Sequence, residues 1–350
     1  MNCRIQRLVI AACVAPLLTA GLSGCTTDSN DGGTEAGDAT SAESGSDGTG
    51  DGDGNDSGDA DTGDGDDGGA VDYDCSGLQE GLSKLDINGT TREFYLDLPG
   101  DVDTGGPWPV IFNWHGLGDT AANMRGLVSP YVDDPTFPFI GVTPEDTDYP
   151  LTVPLLGTQV FDWDVFNVSD GSIEADLFDG VVACLDARYG IDRDRIHSMG
   201  FSLGSILSDM LGTIRGEQIA SIATYSGGYW SNPQNVSGLL SEVVSWPLHL
   251  TDNKYPQLFI HGGPTDTFGV AGVVQLEFSI YAVQDVDFLN TKGHDAILCE
   301  HAGGHTVPSS MNTGTLIEFF RDHPRGTVDS PYANGLPASY STGCSFFAKQ

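Results

Sequence analysis

The chain has 350 residues, with 50 acidic against 14 basic side chains and a formal net charge of −36 at pH 7. Such an acidic chain is a poor partner for nucleic acid, because the phosphate backbone binds basic surfaces. Residues 75–350 alone carry 34 acidic and 12 basic residues, and their number suits one large α/β domain.

The N-terminus has the pattern of an export signal. Arg4 and Arg7 precede an apolar stretch over residues 8–22, which is too short for a comfortable transmembrane helix. The stretch ends in Leu22-Ser23-Gly24-Cys25, which resembles a bacterial lipobox. In the lipoproteins it resembles, Cys25 would carry the lipid that anchors the mature protein to the cell envelope. The alternative is an ordinary cleaved secretory signal, and both interpretations place residues 75–350 outside the cytoplasm.

Residues 26–74 differ sharply in composition from the rest. Between residues 26 and 70 there are fourteen acidic residues, with no lysine, arginine or aromatic residue. A segment of this kind cannot bury enough apolar surface to fold. We expect an extended, self-repelling tether that leads from the membrane to a folded domain over residues 75–350.

Four cysteines remain after the signal and the lipidated cysteine are set aside. They are Cys75, Cys184, Cys299 and Cys344. An even number in an exported domain favours two disulfides, although buried free thiols are an alternative. Three pairings are possible, and the positions of Cys75 and Cys344 near the two ends favour a bond between them.

Strands and helices alternate along residues 91–300. Runs of apolar and β-branched residues predict strands over 91–98, 108–114, 138–143, 195–199, 219–225, 257–261 and 296–300. Helical spacing of apolar residues predicts helices over 171–189, 205–214 and 270–283. This alternation predicts an α/β fold with a mostly parallel sheet and helices on both faces. Functional sites in such sheets lie at the carboxyl ends of the strands.

The segment Gly200-Phe201-Ser202-Leu203-Gly204 lies between a predicted strand and a predicted helix. This is the pattern of a nucleophile elbow, in which glycines on either side let the backbone pass closely around an exposed serine. A glycine-bounded structural turn is the alternative. The partners described next favour the elbow.

Serine, acid and histidine occur in the order Ser202, Asp266 and His305, and each follows a predicted strand. This order is typical of α/β-hydrolases. His305 would accept the Ser202 proton and return it to the leaving group, while Asp266 would hold the imidazole tautomer. Asp252 and Asp295 are alternative candidates for the acid.

Negative charge on an attacked carbonyl needs fixed donors. The backbone N–H groups of Leu203, after the nucleophile, and Leu117, in the loop that follows strand 108–114, are predicted to form this oxyanion hole. Four aromatic residues near strand ends are candidates for a substrate-binding wall, with core packing as the alternative. They are Trp114, Trp163, Tyr229 and Trp230.

A metal site is disfavoured by the histidine spacing. His294, His301 and His305 lie close in sequence but match no zinc-binding pattern. We therefore predict neither a metal nor an organic cofactor. Residues 143–170 are long, proline-containing and aromatic, and they are a candidate lid or static insertion over the site.

Residues 91–320 resemble the secreted α/β-hydrolase esterases grouped as feruloyl esterases and polyhydroxybutyrate depolymerases. The motifs that carry this resemblance lie at 92–95, 115–118, 189–192, 200–204, 261–266 and 303–308. Val307 stands where the family commonly has tryptophan, and Leu203 where it often has a small residue. Tannase-like relatives are disfavoured, because Phe201 and Thr306 occupy the positions of their paired cysteines.

The resemblance implies an exported serine esterase that cleaves carboxylic esters through an acyl-enzyme. Its Ser202, Asp266 and His305 would be the nucleophile, acid and base. Hydroxycinnamate esters of plant cell-wall polysaccharide are the first expected substrate class, and hydroxyalkanoate esters are the second. A peptidase, or a surface lipoprotein that binds a ligand on a hydrolase scaffold without chemistry, are the remaining alternatives.

Overall fold

A computed structural model of the protein describes residues 73–270, 274–308 and 313–350. The predicted signal, the predicted lipidation site Cys25 and the predicted tether up to residue 72 lie outside the described residues. Among the helices that the structure describes, none has both the length and the apolar character needed to cross a membrane.

The described chain alternates strands and helices as expected from the sequence. The strands are β1 Gly81–Ile87, β2 Thr90–Asp97, β3 Trp108–Trp114, β4 Ile140–Pro144, β5 Tyr149–Val153, β6 Gly157–Phe161, β7 Ile191–Phe201, β8 Ser221–Tyr225, β9 Gln257–His261, β10 Thr267–Val270, β11 Val274–Glu277, β12 Ala296–Glu300 and β13 Cys344–Phe347. The α-helices are α1 Ala121–Met124, α2 Ile173–Tyr189, α3 Leu203–Ile214, α4 Phe278–Asn290 and α5 Thr313–Asp322.

One large sheet of nine strands organises this part of the chain, in the order β1-β2-β4-β3-β7-β8-β9-β12-β13. The six central strands from β4 to β12 are parallel to their neighbours. The edges are antiparallel, with β1 on β2, β2 on β4, and β13 on β12. The predicted mostly parallel sheet is therefore confirmed.

Helices cover both faces of this sheet, because alternate residues of each central strand point to opposite sides. On one face, Phe112 of β3 packs on Phe178 of α2 with ring centroids 4.8 Å apart, in a core that also includes Leu207 of α3. On the other face, Ile111 belongs to a core with Phe320 of α5. The carboxyl ends of the parallel strands meet at one edge of this layered structure.

The predicted helix over residues 270–283 was wrong in its first part. Residues 267–277 instead contain the hairpin of β10 and β11, and α4 begins only at Phe278. Phe268, Leu276 and Phe278 line a cavity beside the sheet. The apolar residues that suggested one helix therefore belong partly to the β10–β11 hairpin, where side chains alternate, and partly to α4, where they follow helical spacing.

The favoured disulfide between Cys75 and Cys344 was also wrong. The structure pairs Cys75 with Cys184 and Cys299 with Cys344, with Cα atoms 5.3 Å and 4.0 Å apart. Cys344 lies opposite Cys299 because β13 pairs with β12 in that register. The Cys299–Cys344 pairing could not be inferred from the positions of the cysteines along the chain, because strand β13 was not predicted.

Candidate active site

Ser202 lies at the sharp turn between β7 and α3, as the elbow motif predicts. Its φ of +55° and ψ of −118° are rare for a residue with a side chain. A Cβ atom on Gly200 would overlap the carbonyl of Gly204, and one on Gly204 would overlap the carbonyl of Trp114. Both glycines are therefore required by close backbone packing, which holds the serine at the end of β7.

The structure brings Ser202, His305 and Asp266 together. The Oγ of Ser202 lies 2.9 Å from Nε2 of His305, and Nδ1 of His305 lies 2.7 Å from Oδ1 of Asp266. These are hydrogen-bonding distances, and the two ring nitrogens of the imidazole face the two partners. The arrangement matches a nucleophile, a base and an acid that orients the base.

Asp266 is fully buried and has further donors that fix its carboxylate. Its Oδ2 accepts hydrogen bonds from the hydroxyl of Ser226 and the N–H of Gly262, both at 2.8 Å. Ser226 follows β8, where the sequence reads Ser226-Gly227-Gly228, so a loop signal was present although no role was predicted for this serine. Asp252 and Asp295, the alternative acids, make no contact with His305 in the structure.

The imidazole of His305 lies between two aromatic rings. Phe278 stacks on it with centroids 4.8 Å apart and planes inclined by 12°, and Phe201 lies 4.8 Å away at 34°. These rings restrict the orientation of the base and shield it from water. The side chain is nevertheless 19% exposed, which leaves room for a leaving group or water.

The loop after β3 carries the predicted oxyanion donor Leu117. The backbone on either side of Leu117 is held by hydrogen bonds. Trp163 Nε1–H donates to the carbonyl of His115 at 2.9 Å, and the N–H of Gly118 donates to Asp162 Oδ2 at 2.6 Å. Leu117 and Leu203 border the same cavity as Ser202. The N–H of Leu203 is also among the first of α3, which have no partner within their own helix.

Three of the four predicted wall residues do not line the cavity. Trp114 is buried and donates to Ser198, and Trp163 is buried behind the Leu117 loop. Tyr229 is buried in a hydrogen-bonded cluster with Tyr255. Their aromatic bulk serves packing and loop positioning, and proximity to strand ends could not separate those roles from substrate contact.

Trp230, the fourth predicted residue, does line the cavity beside Ser202. The other lining residues include the predicted oxyanion donors Leu117 and Leu203, members of the candidate lid region, and residues from segments that the sequence did not assign to the site. They are Leu117, Val153, Leu156, Phe161, Phe166, Leu203, Ile206, Leu239, Leu240, Val243, Phe268, Val274, Leu276 and Phe278. Part of the candidate lid region therefore contacts the site, through the hairpin of β5 and β6.

Comparisons with known proteins agree with this geometry. No protein-family model matches the chain. Feruloyl esterase D of Neurospora crassa is 28% identical over 149 residues, which cover 41% of this chain and 48% of that protein. The chain thus spans about half the length of this curated relative. The resemblance to feruloyl esterases expected from the motifs is confirmed as a sequence similarity.

Solved structures extend the comparison to the fold. The structure of native pOPH superposes with a TM-score of 0.60 at 16% identity, covering 78% of this chain and 95% of pOPH. Native sOPH gives 0.60 at 16% identity, with 77% and 94% covered. The chain has the α/β-hydrolase fold. Its sheet order and elbow place the Ser202 site at the carboxyl ends of the parallel strands, where active sites of such sheets lie.

Proposed function

We propose that this α/β-hydrolase is a serine esterase that cleaves carboxylic esters through an acyl-enzyme. The observation that carries the proposal is the hydrogen-bonded series from Ser202 through His305 to the buried Asp266. Ser202 lines the apolar cavity, His305 contacts Ser202, and Asp266 contacts His305. An ester bound in the cavity could therefore reach the Ser202 hydroxyl.

The proposed reaction has two halves. His305 Nε2 takes the proton as Ser202 Oγ attacks the ester carbonyl, and the tetrahedral oxyanion accepts hydrogen bonds from the N–H groups of Leu203 and Leu117. Collapse expels the alcohol, which takes the proton from His305. Water then attacks the acyl-enzyme with His305 again as base, releasing the acid and restoring Ser202. No metal or organic cofactor takes part in these steps.

The substrate class follows from the sequence similarity. Similarity to feruloyl esterase D supports feruloyl-type esters of plant cell-wall polysaccharide as the first class. Hydroxyalkanoate esters, including polyhydroxybutyrate, are the second class. The Ser202 geometry serves either, because both reactions need the same nucleophile and oxyanion hole.

The proposed location is extracytoplasmic. Two disulfides in the described residues fit an oxidising compartment. We propose that Cys25 carries a lipid anchor and that residues 26–74 link it to the domain, with secretion as the alternative. Labelled palmitate fed to producing cells would mark the wild-type protein but not a Cys25→Ala variant.

A fluorophosphonate probe tests the chemistry directly. Wild-type protein should be labelled, Ser202→Ala should not, and Ser237→Ala, which removes an exposed serine, should label like wild type. Hydrolysis of methyl ferulate, para-nitrophenyl acetate and hydroxybutyrate oligomers then ranks the substrates. Folded wild-type protein that neither labels nor hydrolyses any ester would favour the non-catalytic binding protein.

A further inference from the structure

The cavity beside Ser202 has walls of hydrocarbon. Among the described residues that line it, all except Ser202 and Trp230 are leucine, valine, isoleucine or phenylalanine. The walls come from separate parts of the chain: the β5–β6 hairpin, the turn at Gly238–Glu242, the β10–β11 hairpin and the first turns of α3 and α4. Such a cavity favours apolar groups, which gain free energy when they leave water.

Neither polar side-chain group among the described lining residues offers an acceptor to a hydroxyl that lies far from the ester carbonyl. Ser202 Oγ is engaged with His305 and is the reacting atom. The indole N–H of Trp230 is buried and has no hydrogen-bond partner among the described residues. It is a donor only, so it cannot accept the hydrogen of a phenolic O–H group.

The lack of an acceptor in the walls distinguishes acyl groups of similar size by whether they carry a hydroxyl. A hydroxyl that enters an apolar site without an acceptor loses its hydrogen bond to water and gains none in return. A methoxy group or an unsubstituted ring has no donor to satisfy. The two kinds of acyl group therefore differ in the cost of burial rather than in shape.

Resting on the proposed esterase function, we propose that this site selects acyl groups without a free hydroxyl or charge. Aliphatic acyl groups and unsubstituted or O-methylated cinnamoyl groups are the preferred class. This lining revises the substrate order that sequence similarity alone supports: hydroxycinnamoyl groups, feruloyl included, are still hydrolysed, but more slowly, because their phenolic O–H would be buried against hydrocarbon.

Three methyl esters of one skeleton test the proposal: cinnamate, 4-methoxycinnamate and 4-hydroxycinnamate. For the hydroxylated ester we expect kcat/KM about 5- to 100-fold lower than for the methoxy ester, from the cost of an unpaired hydroxyl. Among para-nitrophenyl esters, kcat/KM should rise from acetate to butyrate by up to about fourfold for each methylene buried. Equal or faster hydrolysis of the hydroxylated ester would overturn the proposal.

A variant of the wall tests the same cause from the protein side. Leu240→Asn adds an acceptor oxygen to the cavity, and the ratio of methoxy to hydroxy turnover should fall toward one. Leu248→Asn is the matched control, since Leu248 is 73% exposed and outside the lining, and it should keep the wild-type ratio. If Leu240→Asn does not fold, the substrate series on wild-type protein decides alone.

The two experiments distinguish a wrong acyl selectivity from the absence of esterase activity. Hydrolysis of para-nitrophenyl acetate together with a preference for the hydroxylated cinnamate would contradict only the acyl selectivity. Absence of fluorophosphonate labelling and of all ester hydrolysis would overturn both.

Discussion

Gly262 and Gly304 are in direct backbone contact at the proposed active site. The N–H of Gly304 donates to the carbonyl of Gly262 at 3.1 Å, and a Cβ atom on Gly262 would overlap the Gly304 carbonyl. Gly262 begins the loop that carries Asp266, and Gly304 immediately precedes His305. The contact therefore sets the distance between the acid and the base.

Replacing Gly262 should reduce activity by separating these loops. For Gly262→Ala we expect kcat on para-nitrophenyl acetate to fall by about 100-fold, because displacing a catalytic group by roughly 1 Å has an effect of this size. Gly126→Ala is the control, since Gly126 has open space around its Cα and an ordinary φ. A Gly262→Ala enzyme that folds and retains wild-type kcat would show that the contact is unimportant.

Ser226 is expected to act as a positioning residue for Asp266. It has a φ of +57°, a conformation that glycine adopts more easily, so Ser226→Gly removes the hydroxyl without adding backbone strain. Loss of one hydrogen bond to a charged group should lower kcat by about 10- to 100-fold with little change in KM. A lower unfolding temperature with unchanged kcat would indicate a purely structural role.

Much of the fold and the catalytic geometry could be predicted because local signals coincided there. Strands β3, β9 and β12 each contain at least three consecutive apolar residues. The elbow and the loops that carry Asp266 and His305 each follow a strand. Since parallel strands end at one edge of the sheet, residues 103 positions apart in the chain, Ser202 and His305, could be expected to meet.

The walls of the cavity could not be predicted in the same way. They depend on how hairpins fold over the sheet edge, and neither β5–β6 nor β10–β11 has a turn motif that stands out from its surroundings. Trp114 ends β3 and Trp163 lies just beyond β6, yet both side chains are buried. Only tertiary packing decides which side of a loop an aromatic ring takes, and of the four predicted residues Trp230 lines the cavity.

The backbone of Ser202 should be strained, and stability measurements can reveal this. Ser202→Ala and Ser202→Gly are both expected to be inactive, but glycine tolerates the positive φ. We expect Ser202→Gly to be about 1 kcal/mol more stable than Ser202→Ala in urea unfolding, with equal m-values. Equal stability of the two variants would argue against strain at the elbow.

The Cys75–Cys184 disulfide should stabilise the domain mainly by restricting the unfolded chain. It closes a loop across a sequence separation of 109, against 45 for Cys299–Cys344. Replacing Cys75 and Cys184 together by alanine should lower the free energy of unfolding by about 2–5 kcal/mol. Mass spectrometry of non-reduced peptides checks the pairing, and recovery of a Cys75–Cys344 peptide would contradict the structure.

Asp285 gives the folded domain a pH-dependent weakness away from the catalytic groups. Burial raises its pKa to about 7, from an ordinary value of 3.8. Its carboxylate accepts hydrogen bonds from the side-chain amides of Asn232 and Asn235 and from the N–H of Tyr229, which oppose this rise but do not outweigh burial.

The sign of the effect follows from proton binding in the two states. Between about pH 4 and pH 7 the folded protein keeps a proton that the unfolded chain has released, so the free energy of unfolding attributable to Asp285 falls as pH rises. This loss of stability is absent at pH values below the pKa of Asp285 in the unfolded chain and complete above its pKa in the folded protein. A pKa difference of about three units corresponds to about 4 kcal/mol. Burial also raises the pKa of Asp209, and repulsion from the Asp285 carboxylate adds to that rise, so part of the Asp209 effect depends on Asp285.

Asp285→Asn removes this contribution because asparagine does not titrate, and it removes with it the part of the Asp209 shift that Asp285 causes. The new amide places an N–H against one of the three donors, which lowers stability by an amount independent of pH. We therefore expect wild type to be more stable than Asp285→Asn at pH 4, and the difference to shrink steadily toward pH 8. Urea unfolding at pH 4, 5, 6, 7 and 8 measures it. A difference that stays constant across this range would mean that Asp285 ionises in the folded protein as it does in the unfolded chain.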